Sequence, residues 1–279
     1  MPLLPFTSLV FFGSFAAGFL GALTGLGGGV VLIPLLTLAF HVDIRYAIGA
    51  SLISVIATSS GAAAAYVREG YSNVRIGMFL EIATTFGALL GAYLATVVPT
   101  RALAVVFGVV LIYSAWLSRR EKAFASETSL PNPWSNRLKM SGSFPDRVNG
   151  KQYYQVDRIQ WGFATMFGAG TLSGLLGIGS GAVKVLAMDK IMRIPFKVST
   201  TTSNFMIGVT AAASAGIYLT RGYINPGLAF PVMLGVLAGS LLGAKVLVHT
   251  HVSLLRTIFA FVIMALGIEM IMNGWLGKI

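Results

Sequence analysis

Two glycine-rich runs carry the groups best suited to hold a ligand. Residues 18–34 read GFLGALTGLGGGVVLIP and residues 170–186 read GTLSGLLGIGSGAVKVL. Glycine lets a backbone leave the helical conformation. The freed N–H groups at Gly27, Gly28 and Gly29, and at Gly179, Ser180 and Gly181, would then favour an anion, helped by the start of the following half-helix. The competing use of such glycines is close helix packing through small residues. Lys184 lies three residues after Gly181, where the first run has Leu32. A cation in an apolar stretch points to substrate or gate contact, unless it snorkels to an interface.

Small polar residues follow each run. Ser51, Ser54, Thr58, Ser59 and Ser60 follow the first, and the sequence STTTSN at 199–204 follows the second. Hydroxyls and an amide can solvate oxyanion oxygens without a fixed charge, or can bond back to their own helix carbonyls. Ser51, Ser54, Thr201, Thr202, Ser203 and Asn204, with Lys184 and the glycines, make up the candidate anion ligands. Glu81, about six residues into its apolar stretch, offers a proton-coupling carboxylate, set against placement at an interface or in a structural pair. The chain has no cysteine and three histidines, His41, His249 and His251, all at expected loop edges. No metal site, cofactor or nucleophile–base pair is expected from these residues. No G-x-x-x-x-G-K-[ST] phosphate loop occurs, so ATP-driven transport by this chain alone is not expected.

The elements that must position these residues are duplicated. At an offset of 152, Gly18, Gly25, Gly27 and Gly29 align with Gly170, Gly177, Gly179 and Gly181, and GALLGA at 87–92 aligns with GSLLGA at 239–244. Gly87, Gly91, Gly239 and Gly243 have small-xxx-small spacing and are assigned to helix packing. The first apolar stretch, residues 6–40, would make a helix of about 52 Å, too long for a hydrocarbon core of about 30 Å. It is read as broken at the glycines. Further spans are expected at 46–66, 76–98 and 102–118. The second half repeats the plan, with a broken stretch at 161–188 and spans at 198–220, 227–248 and 255–275. This divides the chain into a first transmembrane repeat (1–118), a hydrophilic loop (119–159) and a second repeat (160–279). Asn149-Gly150, between strand-prone residues, predicts a β-hairpin in the loop; the loop is read as a linker rather than a regulatory element.

Composition fits this plan. The chain is 56% hydrophobic and 10% charged, against about 45–50% and about 25% for soluble domains. The net charge of +11 does not point to nucleic acid, because eight of the twenty Lys and Arg fall between Arg119 and Arg158, as in a cytoplasmic loop. If each broken stretch is a hairpin, the halves are inverted, and the loops then divide the Lys and Arg fourteen inside to four outside. Full crossings would divide them twelve to six. The expected fold is therefore an all-α polytopic membrane protein of two inverted repeats. Each has a glycine-broken, re-entrant first segment followed by three transmembrane helices. Both termini lie outside and the central loop in the cytoplasm. The N-terminus lacks the positive region of a signal peptide, so residues 6–24 are read as retained.

At these residues the chain resembles the sulfite exporter TauE/SafE family, the four-toluenesulfonate uptake permease group. The resemblance rests on Ser173–Gly181, Lys184-Val185, Lys197–Phe205 and the first-half GLGGG–Pro34 segment, and covers nearly the whole chain. Ser180 stands where the family has a middle glycine, and Leu186 where a proline is common. The resemblance implies multi-pass insertion in a bacterial inner (plasma) membrane and secondary transport of sulfite, a sulfonate or a related small anion. Proton or sodium coupling, direction and oligomeric state stay open. A carrier of small carboxylates or other anions, an anion channel and, further off, a membrane-embedded enzyme are the alternatives.

Overall fold

The computed structural model describes residues 3–24, 28–68, 72–119, 140–146, 150–247 and 252–277. The first half comprises α1 (Leu3–Thr24), α2 (Gly29–Pro34), α3 (Ile44–Arg68), α4 (Val74–Val97) and α5 (Thr100–Arg119). The second comprises α6 (Ile159–Leu176), α7 (Gly181–Leu186), α8 (Phe196–Thr220), α9 (Pro226–Leu247) and α10 (Val252–Trp275). Both α2 and α7 run on into a π-helical turn, Leu35–Ala39 and Ala187–Ile191. The halves thus share one element order; between α6 and α7 the backbone leaves the helical conformation at Gly177, Gly179 and Ser180. Gly25 and Gly27 lie outside the described residues.

Helices pair across the halves. α1 packs on α9 and α4 on α6, α3 packs on α8, and α5 on α10. The glycine stripes show the repeat at the level of single residues. A Cβ on Gly87 would strike the carbonyl oxygen of Phe167, and one on Gly239 that of Phe15, both at the 152 offset. Gly170 meets Thr84 and Gly18 meets Val236 in the same way. These glycines serve close packing, as their spacing predicts.

Directions follow from the same contacts. Gly49 faces Tyr223 while Gly208 faces Ser59, so α3 and α8 run antiparallel. Gly108 faces Gly267 while Gly274 faces Arg101, so α5 and α10 do too. By contrast α4 and α6 run parallel, with Gly170 against Thr84 and Gly174 against Ala88.

The outside of this assembly is apolar. Phe12, Met78, Phe86, Phe230 and Phe261 are all exposed, the pattern of a surface solvated by lipid. Among the described residues, Pro5–Ala22, Val74–Val97 and Pro226–Gly243 have the length and hydropathy to span a bilayer, and Ile44–Ser60, Thr100–Ala115 and Ala260–Trp275 are shorter apolar helices.

The hydrophilic loop does hold a hairpin. β1 (Gly142–Asp146) pairs antiparallel with β2 (Gly150–Tyr154), and Asp146 lies opposite Gly150. Gly150 is therefore the first strand residue rather than part of the turn; Asn149 lies outside the described residues. Met140, Phe144 and Val156 pack with Ile76, Met188, Met192 and Met206, which fixes the hairpin to one end of the helices. At the opposite end, Arg45 donates to the Ala95 and Val98 carbonyls that close α4, at 3.2 and 2.8 Å.

Candidate functional site

The start of α2 meets the second break. A Cβ on Gly29 would lie 2.7 Å from Ser51 Oγ, 3.3 Å from the Gly177 carbonyl oxygen and 3.5 Å from Ile178 Cα. Ser51 Oγ donates to that Gly177 carbonyl at 2.9 Å, so a first-half hydroxyl ties down the second-half break. Ser203, its counterpart at offset 152, donates instead to Gly181 O at 3.3 Å.

The backbones of the breaks differ. Gly177 and Gly179 have φ of +66° and +72°, a conformation that glycine adopts freely and a side chain resists. Ser180 also sits at φ +43°, whereas Gly28, its counterpart, is helical at φ −64°. Ser180 Oγ is buried and has no hydrogen-bond partner. A buried hydroxyl left unpaired costs free energy, and a ligand oxygen would satisfy it.

The remaining expected ligands separate. Ser54 Oγ donates to Ala50 O, and Thr201 Oγ1 to Val198 O, both within their own helices. Thr202 Oγ1 accepts from the backbone N–H of Asn73 at 3.0 Å, which fastens the start of α4 to α8. Asn204 is half-buried on α8. Gly28 faces Val236 Cγ1 and Gly18, while Gly179 and Gly181 face Ile207. Gly29, Ser51, Ser180, Gly181 and Ser203 are therefore grouped around the second break, and Lys184 follows three residues after Gly181. Thr202 is bonded across to the start of α4 and Thr201 within its own helix. Gly27 lies outside the described residues.

Lys184 does not snorkel. Its side chain is fully buried, and Nζ donates to Thr210 Oγ1 at 2.5 Å. Thr210 Oγ1 lies 2.6 Å from Glu81 Oε1 and 2.8 Å from the Met206 carbonyl, so its single proton chooses between them. Thr85 Oγ1 donates to the same Glu81 oxygen at 3.3 Å. Glu81 Oε2 is buried without a partner. A hydroxyl thus bridges a buried ammonium and a buried carboxylate, and joins α7 and α8 of one half to α4 of the other.

Glu81 and Thr210 are missing from the candidate ligands that the sequence suggests. Counting from the expected start of its span puts Glu81 near an interface. The structure sets it level with Thr210, in the middle of α8, because Asn73, which caps the start of α4, is hooked to Thr202. A usable signal is present. Gly77, Glu81, Thr84, Ala88 and Gly91 fall at three- and four-residue steps, so the carboxylate lies on the small-residue face, the one a membrane helix packs inward.

A bundle whose outer faces are largely apolar, with an ammonium and a carboxylate buried inside it, is the build of a multi-pass membrane protein. The model of the family described as "Sulfite exporter TauE/SafE" matches residues 10–270, and the chain belongs to that family. It is 30% identical to "Probable membrane transporter protein YunE" of Bacillus subtilis, over 92% of this chain and 94% of that one. It is 28% identical to "Probable membrane transporter protein YdhB" of the same organism, over 82% and 83%. It is 25% identical to "Probable membrane transporter protein MJ0441" of Methanocaldococcus jannaschii, over 97% and 96%. No solved structure matches the chain.

Proposed function

We propose that the chain is a secondary transporter of a small sulfur-containing anion (sulfite, a sulfonate or a related oxyanion) across a bacterial inner membrane, with its site at the second glycine break. The approach of Gly29, the first residue of α2, to the second break, just before buried Lys184 in the chain, is the observation that carries this reading. Three kinds of group able to hold an oxyanion lie along residues 177–184: an ammonium, the unpartnered hydroxyl of Ser180, and backbone released from helical bonding. The family name supports the sulfur-containing class.

The proposed architecture is a pair of inverted repeats with re-entrant first segments. Equivalent helices α3 and α8 run antiparallel, as do α5 and α10, and a two-fold axis lying in the membrane plane produces that relation. Short loops reverse the chain between α3, α4 and α5. In the second half the same reversals, with α4 parallel to α6, leave α6 and α8 running in one direction. The segment between them must then return to its starting side. Loop 190–197 and the hairpin would face the cytoplasm, and Arg45 and Arg101 the outside, in keeping with the distribution of Lys and Arg.

Purified protein in liposomes tests the function. Saturable uptake and counterflow are expected with one or more of sulfite, thiosulfate, taurine and sulfoacetate, and weaker transport with carboxylate analogues. Lys184→Met should lower affinity for all anions alike, because an ammonium reads charge more than shape. Flux without saturation or counterflow would make the protein a channel; preference for carboxylates would reject the sulfur-containing class. Cysteine accessibility scanning, starting from a chain with no native cysteine, tests the topology. Cytoplasmic labelling at both Pro2 and Lys278 would reject the proposed orientation.

A further inference from the structure

We propose that Glu81, Thr210 and Lys184 form a proton-coupling site, in which Glu81 takes up a proton as the anion takes Lys184, so that proton and anion cross together. This rests on the anion-transport reading and adds the coupling ion to it.

The argument begins with charge. In the structure the ammonium of Lys184 and the carboxylate of Glu81 are linked through one hydroxyl, at 2.5 and 2.6 Å. Both side chains are buried. The pair is neutral as a whole, which is the condition for keeping two charges out of water. An anion arriving at Lys184 breaks that balance, because an ammonium flanked by two anions leaves one buried negative charge uncompensated. A proton on Glu81 restores it. The empty site holds Lys⁺ and Glu⁻, the loaded one Lys⁺, anion and neutral Glu. A singly charged substrate therefore moves without net charge.

The hydrogen bonds are arranged for this exchange. Glu81 Oε2 has no partner, so one oxygen of the carboxylate is open to a proton while the other stays bonded to Thr210 and Thr85. Thr210 can turn its proton from Glu81 Oε1 to the Met206 carbonyl, both already within bonding distance. It thereby lets go of the carboxylate without losing a bond. The proton adds to a carboxylate oxygen from the aqueous phase on the side of loading and leaves to the other side with the anion. No bond other than O–H is made or broken.

Other charges around Glu81 do not supply the balance. α6, packed against α4, has no titratable side chain between Ile159 and Leu176. α8 carries Lys197 in its first turn and Tyr218 in its last, on either side of Thr210. On α4 the other titratable groups are Arg75 in the first turn and Tyr93 near the far end. Beyond α7, Asp189 and Lys190 lie 3.6 Å from each other. Lys184 is the charge that acts on Glu81.

The test uses whole protein in sodium-free liposomes loaded with a pH-sensitive dye, and isethionate, a sulfonate that stays ionised throughout the working range. Thiosulfate serves as a second probe. Labelled anion entry establishes transport, and dye fluorescence reports the proton. Wild-type protein should carry about one proton per anion, so that a one-unit pH gradient accelerates uptake by up to about tenfold. Glu81→Gln, neutral in both states, should keep anion counterflow but lose both the proton signal and the acceleration. Thr210→Val should slow coupled uptake, and Thr210→Ser should restore it. Proton uptake on anion binding in weakly buffered detergent solution gives the same stoichiometry without a variant, should Glu81→Gln fail to fold. Anion entry by wild-type protein with no proton signal would overturn the coupling and leave the transport reading intact. A proton signal retained in Glu81→Gln would overturn the assignment to Glu81. Absence of any counterflow with isethionate, thiosulfate or sulfite would overturn both.

Discussion

The two breaks occupy equivalent places in the two halves, yet only the second carries charge. At the 152 offset, Lys184 corresponds to Leu32, Thr210 to Thr58 and Glu81 to Met233. Leu32 is as fully buried as Lys184. Thr58 donates to Ser54 O within its own helix, whereas Thr210 sits between two ionisable groups. Leucine for lysine and methionine for glutamate roughly conserve length, so the scaffold accommodates either trio. The glycine contacts between helices recur residue for residue, and the polar bridge does not. Duplication has kept the packing, while the chemistry is divided unequally: the first half supplies Glu81 and the second Lys184 and Thr210.

The largest expected effect comes from leaving one charge behind. Glu81→Met, which gives the second site the residue of the first, strands the Lys184 ammonium in a buried position. A loss of about 3–5 kcal/mol is expected from breaking a buried pair on one side, read as a fall in melting temperature in detergent. The double variant Glu81→Met with Lys184→Leu, which copies the uncharged trio completely, should recover most of that loss while transporting no anion. A double variant as unstable as the single one would mean that the charged site needs its charges to fold, and the equivalence of the two trios would fail.

The packing half of the comparison is tested at Gly87 and Gly239. Each added Cβ would collide with a backbone carbonyl oxygen across a helix pair, Phe167 for one and Phe15 for the other. Gly87→Ala and Gly239→Ala should each cost about 1–3 kcal/mol, the scale of overpacking. The two losses should match within about 0.5 kcal/mol and add in the double variant, as separate sites do. Losses that differ by much more would show that the helix pairs are alike in outline only.

A smaller difference separates Ser180 from Gly28. Ser180→Gly removes a side chain from a left-handed backbone and should stabilise the protein by about 1 kcal/mol. Gly28→Ser should destabilise it, because a Cβ there would lie 2.9 Å from Val236 Cγ1. If the unpartnered Ser180 hydroxyl binds the anion, Ser180→Gly gains stability and loses about 1–3 kcal/mol of binding. A gain in stability with unchanged affinity would remove Ser180 from the site.

The packing of the molecule is largely legible in its residues. The repeat at 152, the breaks and the inward stripes are all marked by glycine, whose spacing reports close approach directly. The hairpin is legible from Asn149-Gly150, although its register is not: Gly150 falls inside β2, opposite Asp146. Depth is the property that a linear reading misses. Glu81 looks superficial when residues are counted from the end of its own apolar run, while the level of α4 is set by a non-local bond from Asn73 to Thr202. For the same reason the run at 199–204 reads as six equivalent ligands. Only tertiary contacts separate Thr202, which fastens a loop, from Ser203, which meets the second break.

The ends of the molecule extend the comparison. Asn73 and Asn225 are equivalent, and each accepts a backbone N–H at the start of a helix, from Ile76 at 3.1 Å and Gly227 at 2.9 Å. Asn73 does more: its Nδ2 donates to Tyr154 Oη of the hairpin at 2.7 Å. Asn73→Ala should therefore cost more than Asn225→Ala, by about the 1 kcal/mol of one further hydrogen bond. Tyr154→Phe should reproduce that difference. Burial raises the Tyr154 hydroxyl above its ordinary range, against the opposing effect of the Asn73 bond. A group whose folded pKa lies above its unfolded one holds its proton better when folded. Its stabilisation is then complete below the unfolded value of about 10 and fades as pH climbs through the folded one. Melting of the wild-type protein should accordingly fall more steeply above pH about 10 than melting of Tyr154→Phe. Parallel curves across that range would show that the tyrosine is not held in the folded hairpin, and that Asn73 caps α4 and does nothing more, as Asn225 does at the other end.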